Sequence, residues 1–162
     1  MSGGMPVTLK VNGEEHRLTI PPARLLLDVL RDDLHLWGAK CACSQGVCGS
    51  CTVLLDGRPI RACLSLAVNS TGSEITTVEG LADGDSPSYV QQAFLDAGAI
   101  QCGFCMPGLI IAATALLKEN PKPTADIVRH AISGNLCRCS GYVKVVDAVL
   151  LASRARAGES GG

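Results

Sequence analysis

The chain has 162 residues, 47% of them hydrophobic, with 14 Lys and Arg against 15 Asp and Glu for a formal charge of −1. That balance removes the electrostatic basis for binding nucleic acid or an anionic membrane, and an aromatic content of 3% removes a base-stacking platform. An apolar, nearly neutral chain is also not an intrinsically disordered one.

Val7–Val11 alternates apolar and polar residues, as a half-buried strand does. Asn12-Gly13 is the strongest short hairpin signal, and Glu15–Ile20 returns with Leu18 and Ile20 on one face. Pro21-Pro22 ends that strand. Leu26, Leu27, Leu30 and Leu34 recur at helical spacing over Arg24–Leu34. A loop rich in Cys and Gly follows, from Gly38 to Gly49. Thr52–Leu55, the turn Asp56-Gly57 and Pro59–Leu66 read as a second strand pair, and Glu74–Val78 as a last short strand. The polar, turn-rich stretch Ala82–Pro87 predicts a domain boundary that divides 1–81 from 82–162.

Beyond it the pattern is helical. Ser86-Pro87 suits an N-cap with proline at N1, ahead of the apolar stripe Val90, Ala93, Phe94 and Ala97. Pro107 opens a second helix. Its Leu109–Leu117 stretch is apolar on nearly every face, which predicts a central, buried position. That stretch falls far short of the about 20 residues that cross a bilayer. Asn120-Pro121 ends it. Thr124 caps a third helix with Ile127, Val128, Ala131 and Ile132 inward and Gly134 past its end. Tyr142–Ala155 is the fourth, and Arg156–Gly162 reads as a frayed tail. Strands first and a small four-helix bundle after them make an α+β chain.

Nine cysteines cannot all pair with one another within the chain. The start, Met1-Ser-Gly-Gly-Met-Pro6, has no basic and apolar leader pattern, so a reducing, cytoplasmic setting is expected. There, clustered cysteines bind metal or carry out redox chemistry. Cys43-x4-Cys48-x2-Cys51, with Cys63 downstream on the returning strand, has the plant-type spacing of a [2Fe–2S] site. Gly46 and Gly49 let such a loop bend around a cluster. Cys102-x2-Cys105 precedes the second helix, and Cys137-x-Cys139 lies between the third and fourth. An antiparallel bundle brings those two loops to one end. Four thiolates there suit either a second [2Fe–2S] cluster or a zinc ion, and spacing alone leaves both open. No βαβ pattern surrounds Cys102 and Cys105, which argues against a thioredoxin-like pair.

Three motifs now stand in order: Lys40-Cys-Ala-Cys-Ser-Gln-Gly-Val-Cys-Gly-Ser-Cys-Thr-Val53, Gln101-Cys-Gly-Phe-Cys-Met-Pro-Gly108 and Gly134-Asn-Leu-Cys-Arg-Cys-Ser-Gly-Tyr142. With Cys63 between the first two, they resemble the small iron–sulfur subunit of the molybdenum hydroxylases, the xanthine oxidase family, from about Val7 to Leu151. The resemblance implies a plant-ferredoxin-like β-grasp domain followed by a four-helix bundle. It implies two [2Fe–2S] clusters, one on Cys43, Cys48, Cys51 and Cys63 and one on Cys102, Cys105, Cys137 and Cys139. It places Gln101 and Cys139 against the pterin of a molybdenum cofactor carried by a large partner subunit, and the ferredoxin-type cluster toward an FAD-binding subunit. Electrons would run from molybdenum through both clusters to FAD, in a complex that hydroxylates an aldehyde, an N-heteroaromatic or CO with oxygen from water. The chain departs from the family pattern at Cys41, which is extra and breaks the ligand spacing. It departs also at Ala42, where many members have Gly, and at Met106, where many have Thr.

The remaining candidates read plainly. His16, His35 and His130 are expected at the surface, and Lys40 and Arg138 in solvent. Trp37 is expected to pack under the cysteine loop and Tyr142 in the bundle. Asn135 either caps backbone groups or meets a partner. No Ser-His-Asp, paired-carboxylate or phosphate-loop arrangement stands out, so the chain is expected to conduct electrons without transforming a substrate itself.

Overall fold

The computed structural model describes residues 3–158. Strands β1 (Met5–Val11) and β2 (Glu14–Ile20) pair antiparallel around Asn12-Gly13, whose φ values of 53° and 85° are those of a type I′ turn. β3 (Thr52–Leu55) and β4 (Arg58–Arg61) form a second hairpin, and β5 (Glu74–Thr76) lies between the two. The sheet order is β2-β1-β5-β3-β4, with β1 and β5 parallel and the other neighbours antiparallel. This sheet closes over α1 (Leu26–Asp28), which continues as a π-helical turn, Val29–Asp33. Leu26, Leu27 and Leu30 are buried with Leu9, Val11, Val53 and Ile75 in one core. Each such side chain contributes about 1.5–3 kcal/mol of burial. The result is the β-grasp half of an α+β chain.

Helices α2 (Tyr89–Asp96), α3 (Met106–Glu119), α4 (Ala125–Ile132) and α5 (Val143–Gly158) make the second half. Phe94, Leu109, Leu117, Val128, Ile132, Val145 and Val149 fill its core. α3 is buried on nearly every face because it also packs on β3, where Leu54, Ile111 and Ala115 form a small third core. Among the described residues no helix is long and apolar enough to cross a membrane.

Several expectations are corrected. β4 stops at Arg61, so Cys63 sits in a short 3₁₀ turn, Ala62–Leu64, and not on a strand. β5 likewise ends at Thr76. Ser88, not Ser86, caps α2. Its hydroxyl accepts from Gln91 N–H while Gln91 Oε1 accepts from Ser88 N–H, a reciprocal box that Ser86 has no partner to form. Ile127 faces outward, since only Val128 and Ile132 of α4 are buried. Trp37 is 60% exposed, because His35 turns the chain outward at φ 57° and the indole N–H donates to the Arg31 carbonyl on the surface. α5 extends through Gly158, so Arg156 is helical; the part of the expected frayed tail from 159 to 162 lies outside the described residues.

Candidate iron–sulfur sites

The first cysteine loop leaves the core at buried Ala39, and its neck is closed by Lys40 N–H donating to the Ser50 carbonyl at 3.0 Å. Inside it, the backbone N–H groups of Gln45 and Cys48 each donate to Cys43 Sγ at 3.4 Å. Those donors, Cys48 first and then Gln45, lower the Cys43 thiol to about 6. The Cys48 thiol lies beside Cys43. Cys51 and Cys63, both buried, form a second thiol pair, and burial pushes Cys51 up to about 11. Cys41 stays outside, exposed, with its Sγ 3.4 Å from Ser44 Oγ.

The second set converges between the start of α3 and the loop before α5. Cys139 Sγ stands 3.6 Å from Cys102 Sγ, and the Cys105 and Cys137 thiols are hydrogen-bonded to each other. Burial raises Cys105 to about 12. Burial also opposes ionisation of Cys137, yet the Ser140 hydroxyl at 3.1 Å and Ser140 N–H at 3.3 Å donate to its sulfur and bring it down to about 7. The Cys102 side chain raises Cys139. The Tyr142 hydroxyl accepts from Cys137 N–H at 2.8 Å and donates to the Asn135 carbonyl at 3.3 Å, which pins this loop to the bundle. Gln101 is exposed, and its Nε2 donates to the Cys139 carbonyl at 3.2 Å.

The donor sets fit two-iron clusters. In each quartet the thiols pair two and two: Cys43 with Cys48 and Cys51 with Cys63, then Cys102 with Cys139 and Cys105 with Cys137. Two thiols per iron is what a [2Fe–2S] unit requires. A cavity of about 480 Å³ is lined by Cys102, Cys105, Cys137 and Cys139 and reaches Ala42 and Cys48 of the first loop.

The two loops also touch directly. Leu136 N–H donates to the Cys48 carbonyl at 2.8 Å, and Leu136 precedes Cys137 in the chain. Buried Asn135 donates from Nδ2 to the Gly49 carbonyl at 2.9 Å and to Thr52 Oγ1 at 3.1 Å, so of its two expected roles it performs backbone capping. Gly49 has φ +76°, and a Cβ there would stand 2.9 Å from Asn135 Cα and meet the Gly134 carbonyl. Sequence reasoning missed Ser140 and Arg61. Ser140 lies three residues past Cys137 inside the third motif, so its spacing could have found it, whereas Arg61 acts on Gly134, 73 residues away, which no local spacing announces. His35, His130, Lys40 and Arg138 make no contact with either thiol set in the hydrogen bonds described, and His35, His130 and Arg138 are exposed as expected.

Comparison with known proteins agrees with this geometry. A family model described as a 2Fe-2S iron-sulfur cluster binding domain matches residues 9–79, and a second, described as a [2Fe-2S] binding domain, matches residues 77–150. The nicotinate dehydrogenase small FeS subunit of Eubacterium barkeri is 48% identical over 143 residues, covering 88% of this chain and 91% of that protein. In the crystal structure of quinoline 2-oxidoreductase from Pseudomonas putida 86, one chain superposes with a TM-score of 0.91 at 45% identity, over 98% of this chain and 99% of that one. The aldehyde oxidoreductase of Desulfovibrio desulfuricans matches with a TM-score of 0.91 at 44% identity, over 95% of this chain and 17% of a much longer one. The chain belongs to the small iron–sulfur subunits of the molybdenum hydroxylases, and is a subunit of a molybdenum-dependent oxidoreductase that carries two [2Fe–2S] binding domains.

Proposed function

We propose that this chain carries electrons from a molybdenum–pterin subunit to an FAD subunit, through one cluster on Cys102, Cys105, Cys137 and Cys139 and then another on Cys43, Cys48, Cys51 and Cys63. The first-loop site belongs to a unit spanning 1–81 and the second to a unit spanning 82–162. When bound, the clusters supply one-electron carriers that need no proton transfer. The chain's residues do the rest. Thiolates hold the irons in pairs, the Gln45, Cys48 and Ser140 donors stabilise sulfur charge, and the Tyr142 and Asn135 bonds fix the loops. Gln101, tied to the Cys139 carbonyl, is presented with Cys139 at the exposed end of the second site, where it meets the pterin.

The observation that carries this reading is the hydrogen bond from Leu136 N–H to the Cys48 carbonyl, 2.8 Å, which links a residue adjoining one thiol quartet to a member of the other. Exposed large apolar side chains flank both cysteine loops along the chain, which supports two docking faces. Trp37, Val47 and Leu64 lie around the first loop, with exposures of 60%, 62% and 63%. Ile100, Phe104, Leu136 and Val143 lie around the second. Clusters of exposed large apolar side chains mark interaction sites. The Desulfovibrio enzyme, in which the same fold is one part of a long chain, favours a permanent partner over a free-standing carrier. A cytoplasmic address completes the reading.

The test is purification of the native complex with molybdenum, iron and flavin counted together and with electron paramagnetic resonance of the reduced sample. We expect two distinct reduced-cluster signals, and co-purifying pterin and flavin subunits. A colourless chain holding zinc, or a chain that elutes alone without molybdenum, rejects the proposal.

A further inference from the structure

Arg61 ends β4, two residues before Cys63. Its half-buried guanidinium forks across the seam between the two halves: Nη1 donates to Thr52 Oγ1 at 2.7 Å and Nη2 to the Gly134 carbonyl at 2.6 Å. Both acceptors are neutral. Among the described residues no carboxylate lies within 4.0 Å of this guanidinium. A cation drawn partly out of water is ordinarily paired with an anion. Thr52 directly follows Cys51, and Gly134 begins the turn that leads to Cys137. The charge therefore stands between the chain segments that bear thiols of both quartets.

Each loaded site is an anion, because four thiolates and two bridging sulfides outweigh two ferric irons. Reduction adds an electron and deepens that negative charge. A fixed positive charge nearby stabilises the reduced form more than the oxidised one and raises the potential. We propose that Arg61 is a counter-cation shared by the two clusters, a positioning residue that fastens the seam with its fork and raises both reduction potentials with its charge. The inference rests on the two-cluster reading above.

Fork and charge separate by substitution. Arg61→Lys keeps the charge and loses the fork, whereas Arg61→Gln loses the charge and the fork. The experiment is a potentiometric titration of the native complex, wild type and both variants, each cluster followed by its own paramagnetic signal. Two resolved signals in the wild type test the two-cluster reading; differences among the variants test Arg61. In Arg61→Gln each cluster's one-electron equilibrium is expected to shift at least tenfold toward oxidised, about 59 mV. Arg61→Lys should stay within a few-fold of wild type. An Arg61→Gln that loses a cluster, beside an Arg61→Lys that keeps both at wild-type potentials, also supports the role. Unshifted potentials in Arg61→Gln, a shift confined to one cluster, an equal shift in Arg61→Lys, or loss of a cluster from both variants overturns it.

Discussion

Asn135 and Gly49, 86 residues apart in sequence, meet at 2.9 Å where the side-chain amide of the first donates to the carbonyl of the second. Asn135 is 3% exposed, so this bond is made in a dry seam. Truncation in Asn135→Ala leaves the Gly49 carbonyl without this donor. That carbonyl keeps the Thr52 N–H and the Thr52 hydroxyl as donors, so the loss is that of one buried hydrogen bond, about 0.5–1.5 kcal/mol. Asn135→Ala is therefore expected to lower the unfolding midpoint of the cluster-loaded chain and to slow electron exchange between the two sites. Thermal unfolding and stopped-flow reduction check the two effects. An unchanged midpoint would mean that the seam is held elsewhere.

Gly49→Ala attacks the same seam from the other side. A residue with a Cβ held at φ +76° pays about 1–2 kcal/mol of backbone strain. The new methyl would also crowd Asn135 Cα and the Gly134 carbonyl, which are backbone atoms with nowhere to retreat. The expected outcome is a chain that loads less iron at the first loop, read as loss of one paramagnetic signal before the other. Equal loss of both signals would place the damage in the whole fold.

These two residues mark where reading the sequence stopped. The hairpin at Asn12-Gly13, the buried run of α3 and the grouping of the cysteines were legible because each is written in local spacing: a turn dipeptide, an apolar helix face, a ligand interval. Thr124 was legible as a cap for the same reason. The seam was not. Arg61 finds Gly134 across 73 residues and Asn135 finds Gly49 across 86, and neither partner leaves a periodic trace. The misplaced cap of α2 shows the same limit at short range. Ser86, Pro87 and Ser88 all suit a helix start, and the choice falls to Ser88 because Gln91 sits three residues on and reciprocates.

The thiols differ in acidity, and the difference predicts an order of reaction. In the cluster-free, folded chain at pH 7, Cys43 at about 6 is roughly nine-tenths thiolate and Cys137 at about 7 is roughly half thiolate. Cys51 at about 11 and Cys105 at about 12 are ionised to less than about one part in a thousand. Thiolate is the nucleophile, so brief iodoacetamide treatment should label Cys43 and Cys137 well ahead of Cys51 and Cys105. Both depressed groups take up protons as pH falls through their values, so at pH 5 the labelling of Cys137 should nearly vanish and that of Cys43 fall to about a tenth. Peptide mass mapping reads the result. Equal labelling of the four would contradict the donor geometry around Cys43 and Cys137.

Cys41 is the ninth thiol. It is exposed and touches only Ser44 among the described hydrogen bonds, while Cys43 holds two backbone donors. Cys41→Ser should leave iron content and both paramagnetic signals unchanged and alter stability by less than about 0.5 kcal/mol. Cys43→Ser should remove the first signal. A loss of signal in Cys41→Ser would exchange the roles of the two residues.

Cys137→Ser tests the direction of electron flow. Cys137 shares its thiol pair with buried Cys105, accepts from Ser140 and sits one residue past Leu136, whose N–H meets the Cys48 carbonyl. Serine offers a harder, less acidic ligand, so the second cluster should be lost or strongly perturbed while the first, on another loop, persists. On the proposed path, in which molybdenum is reduced before this chain, substrate should then still reduce the molybdenum site once in a single-turnover experiment. Steady-state turnover with a flavin-linked acceptor should fall by at least about tenfold, equivalent to about 1.4 kcal/mol on the barrier. Normal turnover in a variant with a verified missing second signal would show that electrons leave molybdenum by a path that avoids Cys137.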